Sequence, residues 1–210
     1  MLRAERCASK RTPRWYAIQV ERGRERAMAT LLTRVVPEGI LAEPVFQPRF
    51  ATEIKVRGSF VSVEKPLLEG YVIASARDAE ALEKSLFNVV EFNRLLGTAD
   101  GPSPLSTEEV ALFGGLGEPG ARVLPMSWGY KLADGSIMVE RGPLTGREHL
   151  IVRVDRRKST ALLAVEVAGE CLTARAGLAV LPVSDEDPTF ARRLARRCAR
   201  VDASRREVAA

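Results

Sequence analysis

Arg147, His149, Arg153, Arg156, Arg157 and Lys158 crowd into one short stretch. Lysine and arginine neutralise phosphates and release their counterions, so such a cluster suits a nucleic-acid backbone and binds less tightly as salt rises. Duplex RNA is read mostly by shape, which needs only such a surface. A solvated hairpin tip has the same composition, and that reading stays open. His149 is the only histidine in the chain, and no cysteine or serine motif accompanies it, so it carries no catalytic signal. No Gly-rich phosphate loop, nucleophile motif or metal-ligand cluster occurs. The sequence therefore predicts no enzyme, no catalytic residues, no metal and no cofactor. Cys7, Cys171 and Cys198 are widely spaced, which predicts reduced thiols and a cytoplasmic protein.

The cationic stretch needs a scaffold, and residues 136–183 read as all-β. Ile137-Met138-Val139 is a short strand, and Arg141 to Gly146 a turn. From Glu148 to Asp155, Leu150, Val152 and Val154 alternate with His149, Ile151, Arg153 and Asp155. Alternation puts His149 and Arg153 on one face, and the turn Arg156-Arg157-Lys158-Ser159 extends it. Residues 161–167, 171–175 and 178–181 supply three more strands. Five short strands with Gly-rich turns predict a small barrel.

A second run stands out upstream, from Val63 through Lys65-Pro66-Leu67-Leu68-Glu69-Gly70-Tyr71 to Ala74. Proline forces the residue before it into an extended shape, and Gly70 gives backbone freedom before a β-prone strand. Around it, residues 14–113 predict an α+β sandwich. Trp15 to Val20 is the first strand. From Gly23 to Val36, Met28, Leu31, Leu32, Val35 and Val36 mark one helix face, Glu25 sits in its first turn and Pro37 stops it. Short extended pieces follow to Phe60, with Gly58 at a hairpin tip. Asp78 caps a second helix with Leu82, Leu86, Val89 and Val90 inward. Ser106 and Glu109 form a capping box for a short helix from which Val110 and Phe113 pack, ended by Gly114. An antiparallel sheet with helices on one side buries these faces.

The remaining residues bound these two regions. Residues 1–13 read as a disordered basic arm, 114–135 as a Gly/Pro-rich linker and 184–210 as a basic tail. Val123 to Met126 and Trp128 to Tyr130 are too apolar for a free tether, so part of the linker should dock. The net charge is +5 over 210 residues. The basic surplus lies at both ends and in the C-terminal third, and the middle is slightly acidic. That asymmetry suits a first domain that holds a protein and a second that meets a polyanion. No apolar run reaches the roughly 20 residues that span a bilayer, so no membrane partner is expected.

Four features in this order resemble the NusG family of transcription elongation and antitermination factors. They are the Trp15-Tyr16 strand, the Lys65-Pro66-Leu67…Gly70-Tyr71 run, the Pro104-Leu105-Ser106 helix start and the Gly142-Pro143-Leu144-Thr145-Gly146 turn. Leu68 and Glu69 stand where most members have Phe and Pro. Met126-Ser127-x-Gly129-Tyr130 and Asp155-Arg156-Arg157-Lys158 are most similar to the LoaP subgroup. The resemblance implies an NGN-type domain over 14–113 and a five-stranded, SH3-like KOW barrel over 136–183. It further implies a monomer that binds elongating RNA polymerase and promotes processive antitermination of specific operons. Trp15, Tyr16, Leu68, Gly70 and Tyr71 would meet the β′ clamp helices, and Glu83, Lys84 and Ser85 the β gate loop. Trp15 and Tyr16 also fit plain core positions. The KOW face Arg147, His149, Arg153, Arg156, Arg157 and Lys158 would bind a leader RNA hairpin, with nontemplate DNA a further contact. The alternative is a general elongation or termination factor whose KOW domain binds Rho or a ribosomal protein.

Overall fold

A computed structural model describes residues 12–57, 59–87, 89, 94–115, 122–132 and 134–181. Most of the predicted N-terminal arm, Gly58, Val90, the glycines at 117 and 120, Cys7, Cys198 and the C-terminal tail lie outside the described residues. The elements run β1 (Arg14–Gln19), α1 (Glu25–Val35), β2 (Leu41–Phe46), β3 (Arg49–Val56), β4 (Ser59–Pro66), β5 (Tyr71–Ala76) and α2 (Ala79–Leu86). Then come β6 (Arg94–Leu95), β7 (Gly97–Thr98), β8 (Gly101–Pro102), α3 (Thr107–Val110), β9 (Val123–Leu124) and β10 (Ser127–Lys131). The last described elements are β11 (Ile137–Arg141), β12 (Ile151–Asp155), β13 (Thr160–Val167) and β14 (Glu170–Leu181). They fall into two compact units that do not follow chain order. One holds described residues of 12–47, 70–107 and 167–170, the other those of 48–69, 108–166 and 171–181.

The first unit is built on a sheet in the order β2-β5-β1-β6. β1 and β5 run antiparallel with Tyr16 opposite Ala74 and Ile18 opposite Val72. These four side chains share one face and pack with Met28, Leu32 and Val36 of the α1 region and Leu82 and Leu86 of α2. The buried stripe of α1 is rotated from the predicted one: Glu25 and Ala29 are buried, while Val35 is 49% exposed. The cause is Glu25, whose Oε1 accepts the Gly70 N–H at 2.8 Å and the Gly23 N–H at 3.1 Å, drawing that side inward. Asp78 caps α2 as expected, accepting from the N–H groups of Glu80 and Ala81. α3 begins just after Ser106 and lies almost wholly in the second unit, as do Phe113, which is fully buried, and Gly114, which takes φ 119°.

The second unit joins a hairpin to a five-stranded sheet. β3 and β4 pair from Arg49–Pro66 to Val56–Ser59 without a slip, and β9 adds in parallel to β3. The sheet order is β11-β10-β14-β13-β12. Three expectations are corrected here. Residues 171–175 and 178–181 are one long strand, β14, because the backbone runs straight through Gly177. The fifth strand comes instead from the predicted linker, as β10, with Trp128 only 4% exposed beside Ala179 and Leu181. No closed barrel forms among the described residues, since closure would pair the outer strands β11 and β12. The Val139 N–H on β11 is instead taken by Glu148 Oε1 at 3.1 Å.

The Gly142–Gly146 turn is present. Gly142 takes φ 114° and Gly146 φ 74°, and the buried Leu144 donates its N–H to Ser127 Oγ at 3.2 Å. A β-carbon on Gly142 would sit 2.6 Å from Ser127 Cα, so only glycine fits this turn.

Candidate functional site

The residues proposed for protein contact lie in different environments. Strand alternation sends Trp15 and Tyr71 to one face of the β1–β5 pair and Tyr16 to the other. Trp15 is half-buried, with its Nε1 donating to Glu43 Oε1 at 3.1 Å and its ring edge-on to Phe46 at 5.1 Å. Tyr71 is 9% exposed, and burial, with Glu170 nearby, pushes its phenol above the usual range. Tyr16 is 5% exposed and part of the helix-facing core. Leu68 is fully buried.

Gly70 is held rather than free. Its φ is 82°, its carbonyl accepts the Val20 N–H at 2.8 Å, and its N–H goes to Glu25. Burial opposes charge on Glu25, but hydrogen bonds from the Gly70 and Gly23 amides outweigh it and lower the carboxyl below the usual glutamate range. In the sequence Glu25 is only a first-turn helix acid, since a contact to position 70 leaves no local pattern. On α2, Glu83 and Lys84 are exposed, Lys84 lies 3.6 Å from Glu80, and Ser85 Oγ donates to the Leu82 carbonyl at 2.6 Å.

The cationic stretch divides in two. Glu148–Leu150 is a short 3-10 turn rather than strand, and a bulge between Ile151 and Arg153 shifts the register. His149 and Arg153 therefore do not share a strand face as predicted, and Val152 is left 64% exposed. Arg147 is partly spent on the Pro143 carbonyl, to which its Nη1 donates at 3.3 Å.

Arg153, Arg156, Arg157 and Lys158 remain together at the end of β12 and its turn, all exposed. Asp155 Oδ1 shapes that turn by accepting the N–H groups of Arg157 and Lys158 at 3.0 and 3.1 Å. The hairpin braces the turn from β3. Thr52 Oγ1 donates to the Ser159 carbonyl at 2.8 Å, and Ser159 Oγ donates to Glu53 Oε1 at 3.0 Å, all buried. Of these cations only Lys158 has a carboxylate partner among the described residues, Asp155 at 3.8 Å.

Residues 13–113 match the family model described as transcription termination factor nusG. The match covers a little under half of the chain, and over that span the chain is similar to the NusG family. The matched span holds the Trp15-Tyr16 strand, the Gly70-Tyr71 entry and both helices of the first unit. Solved structures similar in shape include one of domain interaction in Thermotoga maritima NusG, at 14% identity over 77% of this chain and 91% of that one, with TM-score 0.49. Two conformations of an MjSpt4:Spt5 complex also match. Conformation B has 15% identity over 76% of this chain and 90% of that one (TM-score 0.32), and conformation A has 17% over 76% and 91% (TM-score 0.31). The comparison with curated proteins finds no match. Among the described residues, no group of three or more His, Cys, Asp or Glu side chains is placed to hold a metal, and no helix is long and apolar enough to cross a membrane.

Proposed function

We propose that this chain is a NusG-type factor, most like the LoaP subgroup, that rides on elongating RNA polymerase and promotes antitermination of specific operons. The observation that carries the polymerase half is the family match over residues 13–113. The half-buried Trp15 and the exposed Glu83–Lys84 patch are the contact surfaces, with the buried Tyr71, Gly70 and Leu68 setting the entry to β5 and Tyr16 supporting them from the core. Nothing in the chain is assigned a catalytic role. The second unit, the counterpart of a KOW domain, takes a leader RNA hairpin on Arg153, Arg156, Arg157 and Lys158, with Arg147 and His149 at its margin. Three arginines without carboxylate partners among the described residues support that reading, because an exposed cation left uncompensated adds directly to attraction for phosphate.

A protein partner for the second unit, such as Rho or a ribosomal protein, is the second reading. Val152, 64% exposed, and Met138, 42% exposed, on the outer strands favour it.

Single-round transcription through tandem terminators separates the two. Read-through that rises only when the template carries the leader beside the protein's own gene, and that Arg156→Ala with Arg157→Ala abolishes, supports antitermination. Altered pausing on every template, indifferent to those substitutions, overturns the leader-specific reading.

A further inference from the structure

A cleft of about 400 Å³ opens within the second unit, where the end of β4 and the segment after it face β12, β13 and β14. Lys65, Glu69, Arg153, Asp155, Lys158 and Arg175 carry its charge. Four cations face two carboxylates, and each carboxylate is committed. Glu69 Oε1 holds Arg175 Nη1 at 2.9 Å, and Asp155 accepts the turn amides and lies 3.8 Å from Lys158. Lys65 and Arg153 are left without a carboxylate among the described residues. They come from the hairpin and from β12, yet they open onto one concave surface, where field lines of one sign concentrate. Arg175 is fixed at the rim because its backbone N–H donates to the Leu67 carbonyl at 2.8 Å.

The cleft is also continuous with the cationic turn, since Arg153 and Lys158 belong to both. A track of cations that enters a cleft this small suits a strand of linked phosphates better than a folded protein surface.

We propose that an RNA strand leaving the Arg156–Lys158 turn seats a phosphodiester in this cleft between Lys65 and Arg153, with Arg175 joining when phosphate displaces Glu69. The proposal rests on the reading above that the second unit binds RNA, and adds the hairpin lysine and the β14 arginine to that surface. Neither residue was singled out as a ligand contact by the sequence. In the sequence Lys65 is only the extended residue before Pro66, and Arg175 the last residue of a strand.

The test uses the full chain, a fluorescein-labelled RNA hairpin from the leader beside its gene, and polyglutamate as a second probe, with anisotropy read across a salt series. Lys65→Gln and Arg153→Gln should each weaken RNA binding several-fold and lower the salt slope by about one. Glu69→Gln should tighten it by releasing Arg175, and melting curves of all three should stay near wild type. If Arg156→Gln with Arg157→Gln weakens binding while Lys65→Gln and Glu69→Gln change nothing, the cleft is overturned and the RNA-binding turn stands. If the wild-type chain binds no RNA, both fall. If Lys65→Gln lowers polyglutamate binding alone, the cleft takes an acidic protein segment and the proposal is wrong.

Discussion

Glu25 shows how one side chain fixes the start of β5 from a distance in sequence. Its carboxylate is 5% exposed and satisfies two backbone N–H groups, one of them at Gly70, where β5 begins. A charged acceptor with neutral donors makes a strong hydrogen bond in a buried site. Glu25→Gln keeps one carbonyl oxygen but loses the charge, and should cost about 1.5–3 kcal/mol at neutral pH. The pH dependence follows from the lowered pKa. A folded-state carboxyl below its unfolded value stabilises the protein fully above the ordinary glutamate range, and that contribution drains away as pH falls through the folded value. Urea midpoints of wild type and Glu25→Gln should therefore differ at neutral pH and converge as pH falls below the ordinary glutamate range. Curves that stay parallel down to acid would show that the charge contributes nothing.

At the scale of elements, β14 illustrates both what local pattern conveys and where it stops. Residues 161–167, 171–175 and 178–181 read as strands before any contact is known, because β propensity and turn residues are local properties. Gly177 looks like a break in that pattern, and so the segment reads as two strands. The structure gives it another reason: a β-carbon there would lie 2.0 Å from the Ala51 carbonyl oxygen of β3. Close approach of a distant strand leaves no trace in the neighbours of position 177. The bulge at Ile151–Arg153 and the pairing of β10 with β14 are hidden for the same reason, since each is decided by the partner strand. The turn Gly142–Gly146, the cap at Asp78 and the stop at Pro37 were legible because each depends on residues adjacent in sequence. Gly177→Ala should force β3 and β14 apart and destabilise the second unit by about 1–3 kcal/mol, read as a lower urea midpoint. Gly146→Ala meets no atoms within 4 Å. It pays only for its positive φ, and should cost about 1 kcal/mol. Equal losses at the two positions would remove the argument from close approach.

Across the whole molecule, the family match and the compact units divide the chain differently. Residues 13–113 match as one stretch, yet β3 and β4 within that stretch belong to the unit that also holds β9 to β14. Phe50 and Leu67 are 1% exposed. The Leu67 carbonyl is satisfied by the Arg175 amide, and the Thr52 hydroxyl by the backbone after β12. A fragment ending at Gly115 keeps every strand of the β2-β5-β1-β6 sheet but removes these partners of the hairpin. An isolated two-stranded hairpin is marginal in water, and stranded buried polar groups add to its cost. Hydrogen exchange should then show the amides of 49–66 losing protection in the fragment, while those of 14–19 and 71–76 keep theirs. The same fragment should lose the cations at 153 and 175 that Lys65 faces in the intact chain, so any RNA affinity of residues 12–115 should be weak and nearly insensitive to Lys65→Gln. Hairpin amides as slow in the fragment as in the full chain would mean that β3 and β4 are held by the first sheet alone. The composite surface of Lys65, Arg153 and Arg175 would then be incidental to folding.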